Sequence, residues 1–591
     1  MSLLYYPTLT IKNISVFWKN SKKLTNSGWL IWPPKISYLK WQNLLKRLLR
    51  SIRSNLVSRQ HKRNYLSFRY RNFLRKKIKT HIKTVDNHIE TISEKLNTLE
   101  PIEGAKLHLI TILKEFWNRK NVSQQIADNI PDHRNQSLIT YSKESIMMSA
   151  LAIFLFRIGS GNKFNKTTHD NDEKYARANI AIFIDAPESH VPVIKTIEEF
   201  LTNLEENSIN NLMIAFIKDL QKSKFFRQHP QIMPGNFFLL AADCVHTHTY
   251  DHPHHLDKSG NNDCQCCLKR VYNKGTKKEY VQWLHQSLVF SFIFMGGLKI
   301  PIYNYPIHSK QIVNLESASE NTYKQECELI GLKTALPIIR EAFPKIKIVL
   351  LLDGLYANKP VLKLAQEQRC GYIIVRKEAS LSLLAKECNE NAVESNHKKN
   401  CIKRSQKVYK GWLIEQNYEW FNSKYLGDGV TTNVLRFWET KTKKEFTECY
   451  QCEWLFSQKL SANNCECAAI RARARWEIED LFNTLKHREY NLKHDYSKNP
   501  RSCFNWHCLA LLAFGIFELF RFSEVVKARG DLPQSMLAKK LLGQLIYKPT
   551  EEIFPTQCQS TRIQFRYDFV VKLMLSNEVY QDNNVETLET G

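Results

Sequence analysis

The stretch "RARARWEIEDLFNTLKHREYNLKHDY", from Arg471 to Tyr496, carries three residues suited to phosphate chemistry along one line. Read as a helix at about 100° per residue, it sets Arg475 and Glu479 one turn apart, with Lys486 two further turns on. Ile478, Leu481, Phe482 and Leu485 follow the i, i+3, i+4, i+7 rule beside that line, so the charges stand at the edge of a core. Taken alone, this is an amphipathic helix with an Arg/Glu pair worth a few tenths of a kcal/mol. Two aspartates elsewhere change its weight. Asp243 ends the apolar run "LLAAD" and Asp353 ends "IVLLLD", and a carboxylate so close to a buried strand needs a partner or a metal ion. Mg²⁺ takes oxygen ligands and keeps several waters. Two such ions about 3.5–4 Å apart can clamp the attacking and leaving oxygens of an in-line phosphoryl transfer. Carboxylates on neighbouring strands, roughly 4.8 Å apart, closed by a third from a helix, would suffice to hold them.

A second group of chemistry-bearing residues comes after Asp243. "VHTHTYDHPHHLDKSGNNDCQCCLKR" holds His246, His248, His252, His254, His255, Cys264, Cys266 and Cys267. Cys264-x-x-Cys267 has the spacing of zinc ligands, and a structural Zn²⁺ here competes with a polar hairpin tip carrying incidental thiols. Cys449, Cys452, Cys465 and Cys467 form another CxxC and CxC set, for which packed reduced thiols are the alternative to zinc.

These residues need elements to position them. Before Asp243 the pattern from Ser142 is helical, as in "VIKTIEEFLTNL" and "INNLMIAFIKDLQK". "RIGSGNK" offers only a weak phosphate-loop signal, because no strand plainly precedes it. Near Gly235 the period shortens. "NFFLLAADCV", "EYVQWLHQSLVFSFIF" and "LKIPIYNYPI" read as strands, "ENTYKQECELIGLKTALPIIREAF" as a helix, "KIKIVLLLDGLY" as a buried strand, and a further helix leads to the strand "CGYIIVRK". Such a succession predicts an α/β layered core. Residues 405–460 alternate and are rich in Val, Thr, Trp and Phe, which predicts a small β-rich insertion in which Trp412, Trp420, Trp438 and Trp454 are core residues. The expected organisation is a basic N-terminal region (1–141), a helical domain (142–230), a first core segment (231–378), the insertion (379–470), a second core segment (471–525) and a C-terminal tail (526–591).

Lys and Arg number 85 against 58 Asp and Glu, giving a formal charge of +27 and favouring a polyanionic partner. No acidic residue precedes Asp86, while Lys40 to Lys83 is densely basic, with Trp41, Leu44, Leu45, Leu48, Leu49, Ile52 and Leu56 at helical spacing. That is a basic amphipathic helix, able to lie along nucleic acid or on an anionic membrane surface. Interleaved Tyr65, Phe68, Tyr70 and Phe73 favour nucleic acid. The 15 cysteines and the lack of a secretory pattern at the start predict reduced thiols or metal ligands in the cytoplasm. The apolar run "WHCLALLAFGIFELF" is shorter than the roughly 20 residues of a membrane span and contains Glu518, so a buried core helix is expected and no membrane partner.

The chain resembles the DDE transposases of bacterial insertion sequences, in the branch with a β insertion before the last acidic residue. "LAADC" matches the first Asp (Asp243) and "LLLDGLY" the second (Asp353). "RWEIEDLFNTLK" matches the Arg-Glu-Lys signature at Arg475, Glu479 and Lys486. "VPVIKTIEEFLTNL", "KQECEL", "CQCCLKR" and "FNTLKHREYNLKHDY" are also similar to segments of one subgroup, so the likeness spans roughly Ser142 to Phe522. It implies a ribonuclease-H-like catalytic core and Mg²⁺ or Mn²⁺ held by Asp243, Asp353 and Glu479. Arg475 and Lys486 would position phosphates. It also implies a DNA substrate with specific transposon ends, cut and then joined to target DNA, homo-oligomeric assembly on that DNA, and a place at the bacterial nucleoid. Two positions depart from the pattern. Cys244-Val245 stands where Gly-Thr is usual, and Ala472 where a tyrosine is. A catalytically decayed, transposase-derived DNA-binding protein is the alternative, and Cys244 is the feature that favours it.

Overall fold

The structure, a computed structural model, describes residues 108–170, 175–228, 233–254, 256, 258–260, 264, 266–308, 320–394, 401–488, 490–523, 526 and 532–553. The chain divides into two units, and apart from His108 the described residues belong to the second, built on Leu109–Lys527 and Asp531–Ile553. The basic stretch Lys40 to Lys83, with the amphipathic helix expected there, lies outside the described residues.

Among the described residues, seven helices of eight residues or more come first: α1 (Leu109–Arg119), α2 (Val122–Asn129), α3 (Lys143–Leu155), α4 (Gly161–His169), α5 (Ala176–Phe183), α6 (Ile194–Asn203) and α7 (Ser208–Lys222). Ser142 and Ser160 supply the side-chain caps that start α3 and α4. Thus "RIGSGNK" opens a helix through a serine cap. Among the described residues helices are already present at Leu109, ahead of Ser142, and the apolar face of α1 (Ile112, Leu113, Phe116) is buried.

Strands β1 (Phe238–Tyr250), β2 (Leu268–Tyr272), β3 (Tyr280–Ile293) and β4 (Lys299–Pro306) come next, then α8 (Glu320–Ala342), β5 (Ile348–Leu352), α9 (Lys359–Glu367), β6 (Gly371–Val375) and α10 (Ser382–Ala392). After these are β7 (Ile402–Tyr409), β8 (Trp412–Tyr425), β9 (Thr431–Lys443) and β10 (Phe446–Phe456), and finally α11 (Cys465–Arg473), α12 (Trp476–His487), α13 (Pro500–Arg521) and α14 (Gln534–Tyr547). β3 runs antiparallel to β1 on one side and to β2 and β4 on the other. β1, β5 and β6 are parallel neighbours.

The fold is α/β, with one 10-stranded mixed sheet in the order β2-β3-β1-β5-β6-β10-β9-β8-β7, β4 lying off this path against β3. The β-rich residues expected as an insertion, 379–470, supply α10 and strands β7 to β10, and those strands join the same sheet. β10 pairs with β6 through Trp454↔Val375, Leu455↔Ile374 and Phe456↔Ile373, so the four added strands extend the core sheet. A sheet edge at β6 would leave a row of unpaired backbone groups, and β10 satisfies it. Trp420 and Trp454 are buried as expected, whereas Trp412 and Trp438 are half-buried.

Helices cover both faces of the sheet around β3. Ser287 Oγ lies 3.1 Å from His507 Nδ1 of α13, whereas a Cβ added to Gly331 of α8 would come 3.2 Å from Leu288 Cδ2. Successive strand residues point to opposite faces, so α13 and α8 sandwich the strand. α13 is the helix read as a buried core element. It is the one described helix long and apolar enough to cross a membrane, and its residues from Ser502 to Phe520 are all buried here. Asn505 Nδ2 donates to the carbonyls of Leu201 (2.8 Å) and Leu204 (3.1 Å), tying it to the end of α6. The expected C-terminal tail also begins with packed structure, since α14 buries Leu537, Leu541 and Leu545, and Asn179 Nδ2 donates to the Leu545 carbonyl at 2.8 Å.

The junction at β6 and β10 gives a prediction. Trp454 is 1% exposed and packs 5.9 Å from Phe437 between ring centroids. Trp454→Ala should lower stability by about 3–5 kcal/mol, read from the denaturant midpoint, with helix and strand signals lost together because the sheet is continuous. A separate early transition for the added strands would contradict that continuity.

Candidate functional site

The pairing of β1 with β5 sets the site. Their parallel register aligns Leu240 with Leu350 and Ala241 with Leu351, and the same offset brings Asp243 level with Asp353. Adjacent strands are about 4.8 Å apart, so the two acidic residues are neighbours across this pair, Asp243 within β1, which runs on to Tyr250, and Asp353 just after β5. Asp243 Oδ1 accepts from the Cys244 N–H at 2.8 Å. Asp353 caps a single helical turn, Gly354–Tyr356, its Oδ1 accepting from the Leu355 N–H at 3.0 Å, and Lys377 Nζ approaches its other oxygen at 3.9 Å.

Asp243 sits opposite Val289 and Cys244 opposite Leu288. Cross-strand partners share a face, so Asp243 points toward the α12 and α13 layer. Cys244 points to the other side, where α8 lies.

From that layer come Arg475, Glu479 and Lys486. The expected continuous helix is broken: α11 ends at Arg473, α12 begins at Trp476, and Arg475 stands at the junction. Its backbone keeps helical angles (φ −55°, ψ −35°), so the one-turn spacing to Glu479 survives. Arg475 Nη2 donates to Glu479 Oε1 at 2.6 Å, and Nη1 lies 3.9 Å from Asp243 Oδ2. The guanidinium therefore spans two of the three predicted acidic residues.

The electrostatics show the same convergence. Burial, and next the charge of Asp353, push the Asp243 carboxyl up to about 6. Glu479 adds to the rise, while the Cys244 N–H and Arg475 oppose it. Burial, then Lys493, lowers the Lys486 ammonium, and Asp243 opposes that shift. Asp243, Asp353, Glu479, Arg475 and Lys486 thus share one field. Oxygen donors of this kind suit a hard divalent cation, which would relieve their mutual repulsion.

Several contributors are not legible in the sequence. Lys299, 5% exposed on β4, donates to Glu477 Oε2 at 2.7 Å and Asp480 Oδ2 at 2.6 Å. Those carboxylates flank Glu479, so the buried ammonium clamps α12 to the sheet; no spacing rule links Lys299 to residues so distant in sequence. Trp476 is 57% exposed beside Arg475, whose guanidinium carbon is 5.5 Å from its ring centroid. On the opposite face Glu328, 2% exposed, meets Tyr356 Oη at 3.4 Å and Gln286 Nε2 at 3.5 Å.

Cys264 and Cys267 are both buried, and His285 Nε2 lies 3.3 Å from each sulfur. Cys266 approaches His308 Nδ1 at 3.8 Å. Of the other histidines, His246 is half-buried, His252 is exposed, and His255 lies outside the described residues, as does the side chain of His248. The second cysteine set does not gather among the described residues: Cys449 and Cys467 are exposed, Cys452 is half-buried and Cys465 is buried against the Ala462 carbonyl.

No protein-family model and no curated protein matches the chain.

The raised Asp243 carboxyl makes a signed prediction. With a folded value of about 6 against an ordinary 3.8, the folded chain binds the proton more tightly. Stability therefore falls as pH rises through that window and stays lower above it. In metal-free protein, Asp243→Asn should match wild type near the bottom of the window. Above it the variant should be more stable by roughly 1–3 kcal/mol. Thermal unfolding across pH measures this; a variant less stable than wild type at neutral pH would contradict it. Added Mg²⁺ should raise the wild-type midpoint more than the variant's.

Proposed function

We propose that the chain is a DDE-type DNA transposase with a ribonuclease-H-like core, cutting element ends and joining them to target DNA. The observation that carries this reading is the alignment of Asp243 and Asp353 on adjacent parallel strands beneath Arg475 and Glu479. The sheet supports it as well: an antiparallel β1-β3-β4 meander leads into parallel β5 and β6, the arrangement that a ribonuclease-H-like reading calls for. The resemblance of the motifs around these residues supplies the substrate, and the +27 charge suits a polyanion.

Asp243, Asp353 and Glu479 would hold Mg²⁺ or Mn²⁺. When bound, such ions would clamp the attacking and leaving oxygens of an in-line displacement. Arg475 holds Glu479 in place and offers its remaining donors to a phosphate oxygen, for which its planar fork is suited. Lys486, partly desolvated and facing Asp243, is a second cation for the non-bridging oxygens. The exposed ring of Trp476 lies at the same rim, where it can stack on an unpaired base. In the first reaction water attacks the phosphodiester at an element end, the bond from phosphorus to the 3′ oxygen breaks, and a 3′-OH is released. In the second, that 3′-OH attacks a target phosphodiester and displaces the target's own 3′ oxygen. One P–O bond forms for each one broken, so the joining step needs no redox partner. Assembly as a homo-oligomer on the DNA belongs to the same proposal.

A strand-transfer assay with the flanking element ends, a plasmid target and Mg²⁺ or Mn²⁺ tests the reading. Wild type should yield joined products, and Glu479→Gln and Asp353→Asn should lose them, with cleavage reduced at least about 10³-fold and DNA binding retained. Cleavage that persists in both variants would sink the assignment. Cleavage without joining would mark a hydrolytic nuclease. Binding without cleavage by wild type, on verified ends, would favour the decayed, DNA-binding alternative.

A further inference from the structure

We propose that His254, Cys264, Cys267 and His285 form a structural zinc site that fastens the segment after α12 to the far end of the β1–β3 pair. The inference does not depend on the phosphoryl-transfer reading, because it concerns a different donor set and a different ion.

The four residues come from three places. His254 lies just after β1, Cys264 and Cys267 are in the connection to β2, and His285 is on β3. His285 Nε2 stands 3.3 Å from Cys264 Sγ and 3.3 Å from Cys267 Sγ. One ligand atom each from His254, Cys264 and His285 lies within 4.8 Å of the others. Tetrahedral zinc with bonds of about 2.3 Å to sulfur and 2.0–2.1 Å to nitrogen places its ligands roughly 3.3–3.8 Å apart. Those three donors are therefore close to the spacing that the ion requires, and Cys267, which is not within the same limit of all of them, joins the set through its contact with His285.

His254 carries the second, independent observation. Its side chain is 1% exposed. Its Nε2 lies 3.2 Å from the Ser497 carbonyl, which can only accept, so that nitrogen carries the proton. Nδ1 then holds the lone pair, and it is buried with no hydrogen-bond partner. A buried acceptor left unsatisfied costs about 1–3 kcal/mol, whereas coordination would use it. A ligating imidazole whose other N–H is fixed by a backbone carbonyl is the usual arrangement around protein-bound zinc. Cys267 is supported in a similar way, its sulfur accepting from the His254 backbone N–H at 3.1 Å.

Two thiols and two imidazoles favour Zn²⁺ over the hard cations that suit carboxylates. Cys264 and Cys267 are not joined to each other, and all four positions are filled by protein, which leaves the ion a structural role. Its mechanical consequence runs through Ser497. Fixing the His254 ring fixes that carbonyl, and with it the segment between α12 and α13 that contains Lys493 and Asp495.

The full chain, purified with thiols reduced, should contain one zinc per chain by elemental analysis. Replacement by Co²⁺ should give the visible bands of a tetrahedral ion together with thiolate-to-cobalt charge transfer. Cys267→Ser and His285→Ala should bind the metal at least about tenfold more weakly, while Cys266→Ser, outside the set, should retain it. Because a ligand variant can fail to fold, the wild-type protein supplies a second measurement: chelation should speed both alkylation of Cys264 and Cys267 and hydrogen exchange over residues 490–498, and zinc should reverse both. Wild type without stoichiometric zinc and without cobalt–thiolate absorption would overturn the proposal. So would zinc lost in Cys266→Ser or unaffected in Cys267→Ser, or a Cys264–Cys267 disulfide in the native chain.

Discussion

The structure around the candidate site depends on one pairing, the parallel register of β1 with β5. It makes Ala241 and Leu351 neighbours in the interior, and two residues later it makes Asp243 and Asp353 neighbours where the apolar run ends. The first consequence stabilises the sheet and the second opposes it, since like charges at neighbouring positions repel and Asp243 is partly desolvated. A register slip of one residue would relieve the repulsion, but it would also exchange the side chains packed against the helices on the two faces of the sheet and break that packing. Burial of Leu239, Leu240, Leu350 and Leu351, all 0% exposed, therefore enforces a local charge conflict. Arg475 answers part of it from above.

That answer requires α12 to be held firmly, and the means lie at both ends of the helix. Near its start, Lys299 reaches Glu477 and Asp480 on either side of Glu479. Burial alone would push the Asp480 carboxyl up, and Lys299 with Arg488 outweighs it, leaving the group below its ordinary value. Beyond the other end, His254 grips the Ser497 carbonyl. Both anchors belong to the β1–β3–β4 side of the sheet. The added strands contribute a third hold, since Glu439 of β9 binds Arg473 just before Arg475, so the start of α12 is tied to both sides of the sheet.

Features set by local pattern were legible in the sequence. Asp353 after five apolar residues, the strands either side of it, and the apolar stripe of α12 all obey short-range periodicity, and the structure has them where the pattern puts them. The features that could not be read depend on pairs far apart in the chain. Lys299 looks like a strand-end lysine until its partners some 180 positions later are known. His285 sits in a run of apolar and polar residues with no ligand spacing to Cys264. The continuity of β10 with β6 was hidden for the same reason, because alternation identifies a strand without naming its neighbour. The break between α11 and α12 went unseen because Ala474 and Arg475 are good helix formers; the turn is imposed by packing, with Arg473 held by Glu439 in one direction and Arg475 by Glu479 in the other.

Cys244 is where sequence and structure lead to different emphases. By resemblance it replaces a glycine beside the first acidic residue, and in one dimension that looks like damage to the site. In the sheet, the side chain opposite Leu288 faces the α8 layer, among Tyr356 and Glu328, and only its backbone N–H belongs to the carboxylate side. That N–H would be present with any residue except proline. The thiol therefore lies behind the strand, on the side away from the face to which Asp243 points. Any effect of this substitution on chemistry must pass through the position of β1, and β1 is held there by two neighbouring strands, β3 and β5.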